Sequence, residues 1–505
     1  MNVLKEILRV VLVNTDKEKV FPELVDAENA RPSLTGKLLK GMEGDLYSSD
    51  EDAALDLYGT EANDQRFRTL KSRMYDRLVQ SVLFLTIKQP EHSEYIVNYF
   101  KCQRALIAAR ILMKFASHQA GYVVATKTLS VAERYQFTDI SLQLAVLLRD
   151  YSSVRCLNLQ FKAYSRKVNR YLLTLSSEYE SDYLLDDALL GLKISHFEHS
   201  HYIKEHEEIY KRIKAMNADT ASHVLRINEY RAAIFYYETL EDYRMVCDQC
   251  ENAISYLDQN SHLSQNARVG EFNLRRISAI LCSRRRIELE DGAFSLSVFA
   301  DGGHNWYSTL GILFASSLYN LDYDAAYEYY DLATSHTKFD SLDGVSKERW
   351  TIYNAYLLLC ELLSLTAIRN HARREFRLST FLNSTNYEAK AKGDANSLIE
   401  IVHALYLLLV GDYNGAEKRI EYLNVYCTRY LRDSHFDRLR LFIKALQHIP
   451  RHLGDSVTLK LKAEPFLHAI RAAASTPIPA ELNELLPYDV MLVALLSKLE
   501  ASESW

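Results

Sequence analysis

A pattern of small and large residues recurs along this chain, each time after a turn that contains a tyrosine. The stretch LDYDAAYEYYDLATSHTKF has its turn at Asp322 and Tyr323, and Ala326, Tyr330 and Ala333 follow at spacings of four and three residues. This spacing puts the three side chains on one face of a helix. The two small residues let a second helix approach closely, and the large residue fills the groove between its side chains. The pattern is typical of the second helix of a helical hairpin.

Three more stretches have the same arrangement. Their small or large apolar residues are Ala125, Leu129 and Ala132; Val246, Cys250 and Ala253; and Ala416, Ile420 and Leu423. The turns that precede them are Gly121-Tyr122, Glu241-Asp242-Tyr243 and Gly411-Asp412-Tyr413. The first positions of the four stretches are 121, 80 and 90 residues apart (246 − 125, 326 − 246 and 416 − 326), which fits units of about 40 to 45 residues. The spacing therefore predicts stacked helical hairpins.

The size and composition of the chain agree with this prediction. A chain of 505 residues is too long for one compact core of ordinary size, so it divides into domains or grows in one direction. It has only 16 glycines and 8 prolines, fewer than turn-rich β folds need. We therefore expect an all-α fold, an α-solenoid of hairpins.

The hairpin pattern resembles the tetratricopeptide repeat, with longer helices. Four segments are also similar to landmarks of a family of uncharacterised bacterial tetratricopeptide-like proteins: RFRTLKSRMYDRLVQSVLFL (66–85), REFRLSTFLNS (374–384), FIKALQHIP (442–450) and LPYDVMLVALL (486–496). The resemblance extends over nearly the full length. It implies a helical-repeat fold and a cytoplasmic bacterial setting, but it implies no activity and no functional residues.

The first part of the chain differs from the rest. Short helical stretches are predicted near 2–13, 33–42 and 49–58, followed by a long one at 63–88 that Gln89-Pro90 ends. We interpret residues 1–90 as a small helical N-terminal domain or cap. Residues 91–505 are then the tetratricopeptide-like α-solenoid, with a C-terminal closing helix that starts at Pro487.

Charge and hydropathy limit the partners and the location. The net charge of −6 gives no overall field that would attract nucleic acid or anionic lipid. The most apolar runs, 356–368 and 403–411, are too short to span a bilayer, and Arg9 interrupts the N-terminal one. Seven scattered cysteines indicate a reducing compartment. We expect a cytoplasmic protein with no membrane partner.

Two motifs could hold a metal ion. Cys247-x-x-Cys250 would need a second pair of ligands, which the sequence does not contain, and the hairpin pattern places Cys250 in the core. In HFEHSHYIKEHEE, His199 and His206 would lie about 10 Å apart on one helix, too far for one ion. His196 and His201 complete that cluster, which we interpret as a solvated face; the alternative is a two-ligand metal site between helices or subunits.

No catalytic motif is present. The sequence has no phosphate loop, no Gly-x-Ser-x-Gly elbow and no dinucleotide fingerprint. We therefore predict no catalytic, cofactor-binding or metal-binding residue, and a protein that is not an enzyme. A catalytic domain too divergent to recognise is a third hypothesis, beside a protein-binding and a nucleic-acid-binding function.

The strongest candidate for a binding site is the basic stretch EFNLRRISAILCSRRRIELE. Arg268, Arg275 and Arg286 are spaced by 7 and 11 residues, so they line one helical face. Guanidinium groups bind phosphate and carboxylate in a bidentate manner. We predict that the partner contacts are Arg275, Arg284, Arg285 and Arg286. The alternative is that these arginines form a solvated or ion-paired face.

The function hypothesis follows from the fold. Stacked hairpins form a groove from their first helices, so we expect a protein- or peptide-binding scaffold that uses its concave face. Tyr307, Tyr319 and Tyr327 are candidates for exposed contacts, although hairpin packing accounts for most of the 34 tyrosines. The alternative is a nucleic-acid-associated regulator, in which residues 1–90 or the arginine helix contact phosphate. The sequence does not identify the partner.

Overall fold

The fold is all-α, as predicted. The computed structural model describes residues 1–14, 33–83, 85, 93–115, 117–194, 202–282, 293, 296–297, 299–367, 377–384, 395–431, 436–452, 455–473 and 484–503. Across these residues the chain forms α-helices, short 3-10 turns and connecting turns, with no strand. Contacts between Cα atoms divide the chain into two compact units, Met1–Leu175 and Ser176–Trp505.

The first unit contains the helices α1 to α7 and the start of α8. Their bounds are α1 Asn2–Asn14, α2 Leu34–Glu43, α3 Asp50–Tyr58, α4 Gln65–Val82, α5 Glu94–Lys114, α6 His118–Arg134, α7 Thr138–Val154 and α8 Asn158–Ile194. Helix α8 continues into the second unit.

Helices α1 to α4 share a hydrophobic core whose buried members include Leu8, Leu38, Phe67 and Met74. The start of α3 is fixed by a capping box, in which Ser49 accepts from the N–H of Asp52 and the Asp52 carboxylate accepts from the N–H of Ser49. The four helices lie close to their predicted positions, although the fourth ends at Val82. The predicted domain boundary at residue 90 stays a prediction.

Helices α5, α6 and α7 pack against one another. The interpretation of Gly121-Tyr122 as a turn is wrong, because both residues lie inside α6. Gly121 is buried, and a Cβ atom there would lie 2.6 Å from Cγ of Met113 and 3.1 Å from the carbonyl oxygen of Ala109. This glycine therefore allows α5 and α6 to approach closely.

The second unit continues with thirteen helices along the described residues, most of which pack against the next helix in sequence. They are α9 Ile203–Thr220, α10 His223–Thr239, α11 Tyr243–Gln259, α12 Asn266–Cys282, α13 His304–Tyr319, α14 Tyr323–Thr334, α15 Gly344–Leu362, α16 Leu378–Ser384, α17 Ala395–Val410, α18 Tyr413–Tyr430, α19 Asp437–His448, α20 Ser456–Ala472 and α21 Tyr488–Glu503.

One type of turn joins several pairs of helices in both units. After the helix, one residue takes a positive φ, its N–H bonds to the carbonyl three residues earlier, and the next N–H bonds to the carbonyl five residues earlier. In the turn after α13 these bonds are 3.1 Å (Leu321 to Leu318) and 2.8 Å (Asp322 to Ser317). This is the Schellman motif. It recurs with positive φ at Gln136, Cys156, Glu241, Ser364 and Gly411.

The acidic-tyrosine signal has a structural explanation in three of these turns. Asp242, Asp322 and Asp412 are N-caps, and each carboxylate accepts from the N–H three residues later, at 3.1, 3.2 and 2.9 Å. The tyrosine that follows each aspartate is the first residue of the helix. The recurring pair therefore marks the start of a second hairpin helix.

The small and large residues of the pattern face the core. Ala125, Ala326 and Ala416 are fully buried, as is Val246 at the same position of the fourth stretch. The large residues Leu129, Cys250 and Ile420 are also buried, whereas Tyr330 is only half-buried. The pattern therefore located helix–helix contacts correctly in all four stretches.

The end of the chain is held by a buried ion pair. Arg438 of α19 donates from Nε and Nη2 to the two carboxylate oxygens of Glu484, at 3.0 and 2.8 Å. The side chains of Arg438 and Glu484 are only 5% and 4% exposed. Glu484 also accepts from the N–H of Tyr488 at 2.8 Å, so the ion pair fixes the start of the closing helix α21 against α19.

Candidate partner-binding surface

The arginines predicted as partner contacts lie in and after α12. Arg284, Arg285 and Arg286 lie outside the described residues, so their predicted contacts stay a prediction. Arg275 is described, and its Nη1 atom donates to both carboxylate oxygens of Glu238 on α10, each at 3.1 Å. Its guanidinium carbon also lies 4.7 Å from the ring centroid of Phe235. Arg275 therefore connects α10 and α12.

Electrostatics agree with this structural role for Arg275. Burial by itself would lower the pKa of Arg275, but the carboxylates of Glu238 and Glu271 outweigh burial, and the pKa is raised. To bind Arg275, an acidic partner would have to displace the carboxylates of Glu238 and Glu271. Those carboxylates would then be partly buried without a positively charged partner, which is unfavourable.

The neighbouring arginines of α12 are also ion-paired. Arg268 lies 2.8 Å from Glu271, which in turn lies 3.3 Å from Arg231 on α10. Arg276 lies 4.0 Å from Glu251 on α11. Along the described length of α12, the basic side chains thus form a network with carboxylates that include those of the preceding helices.

The two possible metal motifs have ordinary packing roles where they are described. Cys247 and Cys250 are buried together with Cys282, and burial raises the pKa of the Cys282 thiol to about 12. The interpretation of the histidine cluster as a solvated face is wrong for His206, which is buried with Nδ1 2.7 Å from Oγ1 of Thr239. The other three histidines of that cluster lie outside the described residues. Among the described residues, no group of three potential ligands is placed to hold a metal ion.

The expectation that Tyr307 and Tyr327 are exposed is wrong, because both side chains are buried. Helix α13 packs on several sides, and the Tyr307 ring lies 5.0 Å from that of Trp306. Tyr327 donates its hydroxyl to the carboxylate of Glu361 on α15 at 2.6 Å. Tyr319 is half-buried. These tyrosines therefore do not supply an exposed contact surface.

An exposed apolar surface occurs instead on α5, in the first unit. Phe100, Ile107, Ile111 and the residue that ends the helix, Phe115, are 41%, 42%, 52% and 79% exposed. Spacings of seven, four and four residues place these side chains on one face. The opposite face of α5 is buried, with Cys102, Leu106 and Ala109 turned towards the interior. We call the exposed face the α5 stripe.

The α5 stripe is bordered by positive charge. Lys101, Arg110 and Lys114 are exposed beside it, and Arg104 lies within it between Phe100 and Ile107. The helix has a single acid, Glu94 at its first position, which accepts a hydrogen bond from the hydroxyl of Tyr135. The α5 stripe is therefore a row of exposed apolar side chains bordered by basic side chains.

The two arginines of the α5 stripe and its border donate hydrogen bonds to uncharged groups. Arg104 donates from Nη2 to the carbonyl of Leu85 at 2.7 Å, and Arg110 donates to Oε1 of Gln143 at 2.9 Å. Within the described parts of the chain, no carboxylate forms an ion pair with Lys101, Arg104, Arg110 or Lys114. Their charges are thus available to an acidic group, unlike that of Arg275.

Sequence reasoning missed this surface because α5 has apolar residues on every side. A helix that is apolar all round is normally buried all round. The signal that could have revealed it is the spacing of 100, 104, 107 and 111, in steps of four, three and four residues, with an arginine at 104. A charged residue in the middle of an apolar seam indicates a face in contact with solvent or a partner.

The described residues include no helix that is both long enough and apolar enough to cross a bilayer. Comparisons with family models, curated proteins and solved structures each found no match to this chain. The resemblance to bacterial tetratricopeptide-like proteins therefore stays a prediction. What the protein binds has to be inferred from the chemistry of its surface.

Proposed function

We propose that this protein is a binding scaffold, not an enzyme, and that its α5 stripe docks an apolar, acidic helix of a partner protein. The observation that supports the proposal is the exposed row Phe100, Ile107, Ile111 and Phe115 inside a basic surround. Helix α5 is the first helix of its hairpin, the position where a scaffold of stacked hairpins would bind. The solenoid arrangement and a cytoplasmic location belong to the same proposal.

The spacing of the stripe favours a helix as the ligand. Steps of four, three and four residues between positions 100, 104, 107 and 111 match the seam of a coiled coil, in which each apolar side chain inserts between residues of the facing helix. Amphipathic helices dock on such seams through apolar residues repeated at the same steps. Their flanking carboxylates would face Lys101, Arg104 and Lys114.

The width of the stripe argues against a membrane surface as its ligand. A membrane-bound helix inserts a broad apolar face, whereas the α5 stripe is one side chain wide and contains Arg104. The nucleic-acid alternative receives no support from α12, because Arg268, Arg275 and Arg276 already lie near carboxylates.

The proposed cytoplasmic location is supported by the cysteines. All seven are free thiols, as is typical of a protein in a reducing compartment.

A titration with a designed peptide tests the proposal. The probe is a fluorescein-labelled helix of about 21 residues, with leucine at the a and d heptad positions, glutamate at e and g, and alanine at b, c and f. Fluorescence anisotropy should report saturable binding to the full chain. Ile111→Glu should weaken binding at least tenfold, roughly 1.4 kcal/mol, because it places a carboxylate opposite leucine and glutamate.

The matched control is Val457→Glu, which adds the same charge at a residue that is 77% exposed on α20. This variant should bind the peptide as the wild type does. Equal binding by wild type and Ile111→Glu would refute the proposed surface. Sedimentation with phosphatidylserine vesicles completes the test: vesicle binding that Ile111→Glu abolishes would replace the protein partner with a membrane.

A further inference from the structure

A second exposed apolar row occurs in the second unit, on the C-terminal half of α8. Tyr179, Tyr183 and Leu190 are 63%, 65% and 55% exposed, at spacings of four and seven residues. The spacings place the three side chains on one face, while Leu185 and Ala188 on the opposite face are buried. We call this row the α8 stripe.

The α8 stripe has an acidic border. Asp182, Asp186 and Asp187 are exposed beside it, and the last two lie between Tyr183 and Leu190 along the helix. Of the other two acids between residue 176 and the end of α8, Glu178 is buried and Glu180 is ion-paired with Arg212 on α9. Asp182 accepts a hydrogen bond from Nδ2 of Asn228 at 2.8 Å, so the acidic border consists mainly of Asp186 and Asp187. The charge is therefore opposite in sign to that around the α5 stripe.

The two stripes match in spacing when their helices run antiparallel. Along α8 the apolar residues are separated by four and then seven residues, and α5 read backwards from Ile111 has the same separations. The resulting pairs are Tyr179 with Ile111, Tyr183 with Ile107, and Leu190 with Phe100. Antiparallel packing also brings the positive end of each helix dipole to the negative end of the other.

The charges fit in the same alignment. Arg104 lies between Ile107 and Phe100, and it would face Asp186 and Asp187, which lie between Tyr183 and Leu190. Pairing α5 with a second α5 would instead bring the lysines and arginines of both copies together, and pairing two α8 stripes would bring their aspartates together. Like charges at close range are unfavourable, so a contact between unlike stripes is preferred.

We propose that the occupant of the α5 stripe is the α8 stripe of a second copy of this chain, so that the protein self-associates head to tail. This inference rests on the proposed function and names its partner. The contact uses two different surfaces, which makes it heterologous. A single helix pair buries less than the roughly 800 Å² per partner of a standard interface, so the association should be weak.

The experiment uses three variants of the full chain and sedimentation equilibrium from roughly 5 to 200 μM, the range for weak association. Ile107→Glu damages only the α5 stripe, and Tyr183→Lys damages only the α8 stripe. The wild type and the Val457→Glu control should show a mass that rises with concentration. Each stripe variant alone should remain monomeric, because its intact stripe has no matching partner.

The decisive sample is an equimolar mixture of the two stripe variants, Ile107→Glu and Tyr183→Lys. One variant retains an α8 stripe and the other an α5 stripe, so the mixture should form dimers although neither component does alone. A monomeric wild type, self-association by either variant alone, or a monomeric mixture would each overturn the inference. Circular dichroism should give equal helicity for all three variants, since all three substituted residues are exposed.

The two proposals fail in different ways. If the chain stays monomeric but binds the acidic peptide, the docking function stands and self-association is wrong. If the peptide does not bind and self-association is insensitive to both stripe variants, both proposals are wrong.

Discussion

Helices α12 and α5 both have basic residues along a face, but the structure uses those residues differently. In the sequence, α12 has the stronger sign of a binding site, with arginines along one face, whereas α5 has the composition of a core helix. In the structure, Arg275 lies 3.1 Å from both carboxylate oxygens of Glu238, and Arg268 lies 2.8 Å from Glu271. The basic residues of α5 lie beside exposed phenylalanine and isoleucine side chains instead.

The contrast shows that a charge pattern on one helix does not reveal whether its charges are already paired. The carboxylate that engages Arg275 is 37 residues away in the chain, on a helix two positions earlier. Substitutions at arginines that are both paired and largely buried should therefore change stability, and substitutions in the α5 stripe should change binding.

The largest effect on stability is expected at Arg438, whose side chain is only 5% exposed in its pair with Glu484. Arg438→Met should lower the free energy of unfolding by about 3–5 kcal/mol, because Glu484 is left charged and buried. Urea denaturation followed by circular dichroism measures this loss. Arg66→Met is the matched control, since Arg66 is exposed in its pair with Asp64, and it should leave the urea midpoint nearly unchanged.

The second prediction concerns the free energy of unfolding as a function of pH, which should report the burial of His223 at the start of α10. Burial, with a smaller effect from Arg268 and His262, lowers the pKa of His223 from 6.5 to about 4. The unfolded chain therefore binds a proton between pH 6.5 and 4 that the folded chain does not, so stability falls as the pH falls through this window. The expected loss is about 2–3 kcal/mol for this one group.

The variant His223→Gln isolates that contribution. Its unfolding free energy should depend less on pH between 6.5 and 4 than that of the wild type, and the two curves should have the same slope above pH 7. Parallel curves over the whole range would show that His223 does not cause the loss of stability.

A smaller stability effect is expected for the pair Arg275 and Glu238, which is partly exposed. The coupling energy from a double-mutant cycle of Arg275→Met and Glu238→Gln should be about 1–2 kcal/mol, between surface and buried ion pairs. Binding of the acidic peptide should be unchanged in all three variants. A coupling energy near zero together with weakened binding would reverse the roles that we assign to α12 and α5.

The smallest stability effect belongs to the basic border of the α5 stripe. Replacing Lys101 and Lys114 together with glutamate should change the unfolding free energy by less than about 0.5 kcal/mol, since both side chains are exposed. Peptide affinity should fall severalfold, and its dependence on salt should become weaker because fewer charge pairs are screened. Unchanged affinity and an unchanged salt slope would mean that these lysines do not face the ligand.

Much of the fold could be predicted from local sequence signals. The aspartate and tyrosine of three turns were visible because the aspartate is the N-cap and the tyrosine begins the helix. The buried alanines at 326 and 416 followed from their spacing after that cap. The turn predicted at Gly121 is wrong, because glycine occurs both in turns and at close helix–helix contacts, and here it lies at such a contact.

The α5 stripe could not be predicted in the same way. Exposure of Ile107 and Ile111 depends on which neighbouring helices cover α5, and that is a property of tertiary packing. The burial of Tyr307 and Tyr327 has the same origin. The Tyr307 ring packs near His336 and Phe339, which follow α14, and Tyr327 bonds to Glu361 on α15. Local spacing determines which residues share a face, but not what lies against that face.

Site-specific photo-crosslinking can locate the bound peptide on the protein. A benzophenone amino acid is placed either at Ala108, at the edge of the α5 stripe, or at Ala267, an exposed residue at the start of α12. The labelled acidic peptide is added, the sample is irradiated, and the adducts are located by mass spectrometry. If α5 is the docking helix, a peptide adduct forms at position 108 that Ile111→Glu removes, and none forms at position 267. An adduct at position 267 without one at position 108 would contradict the assignment of binding to α5.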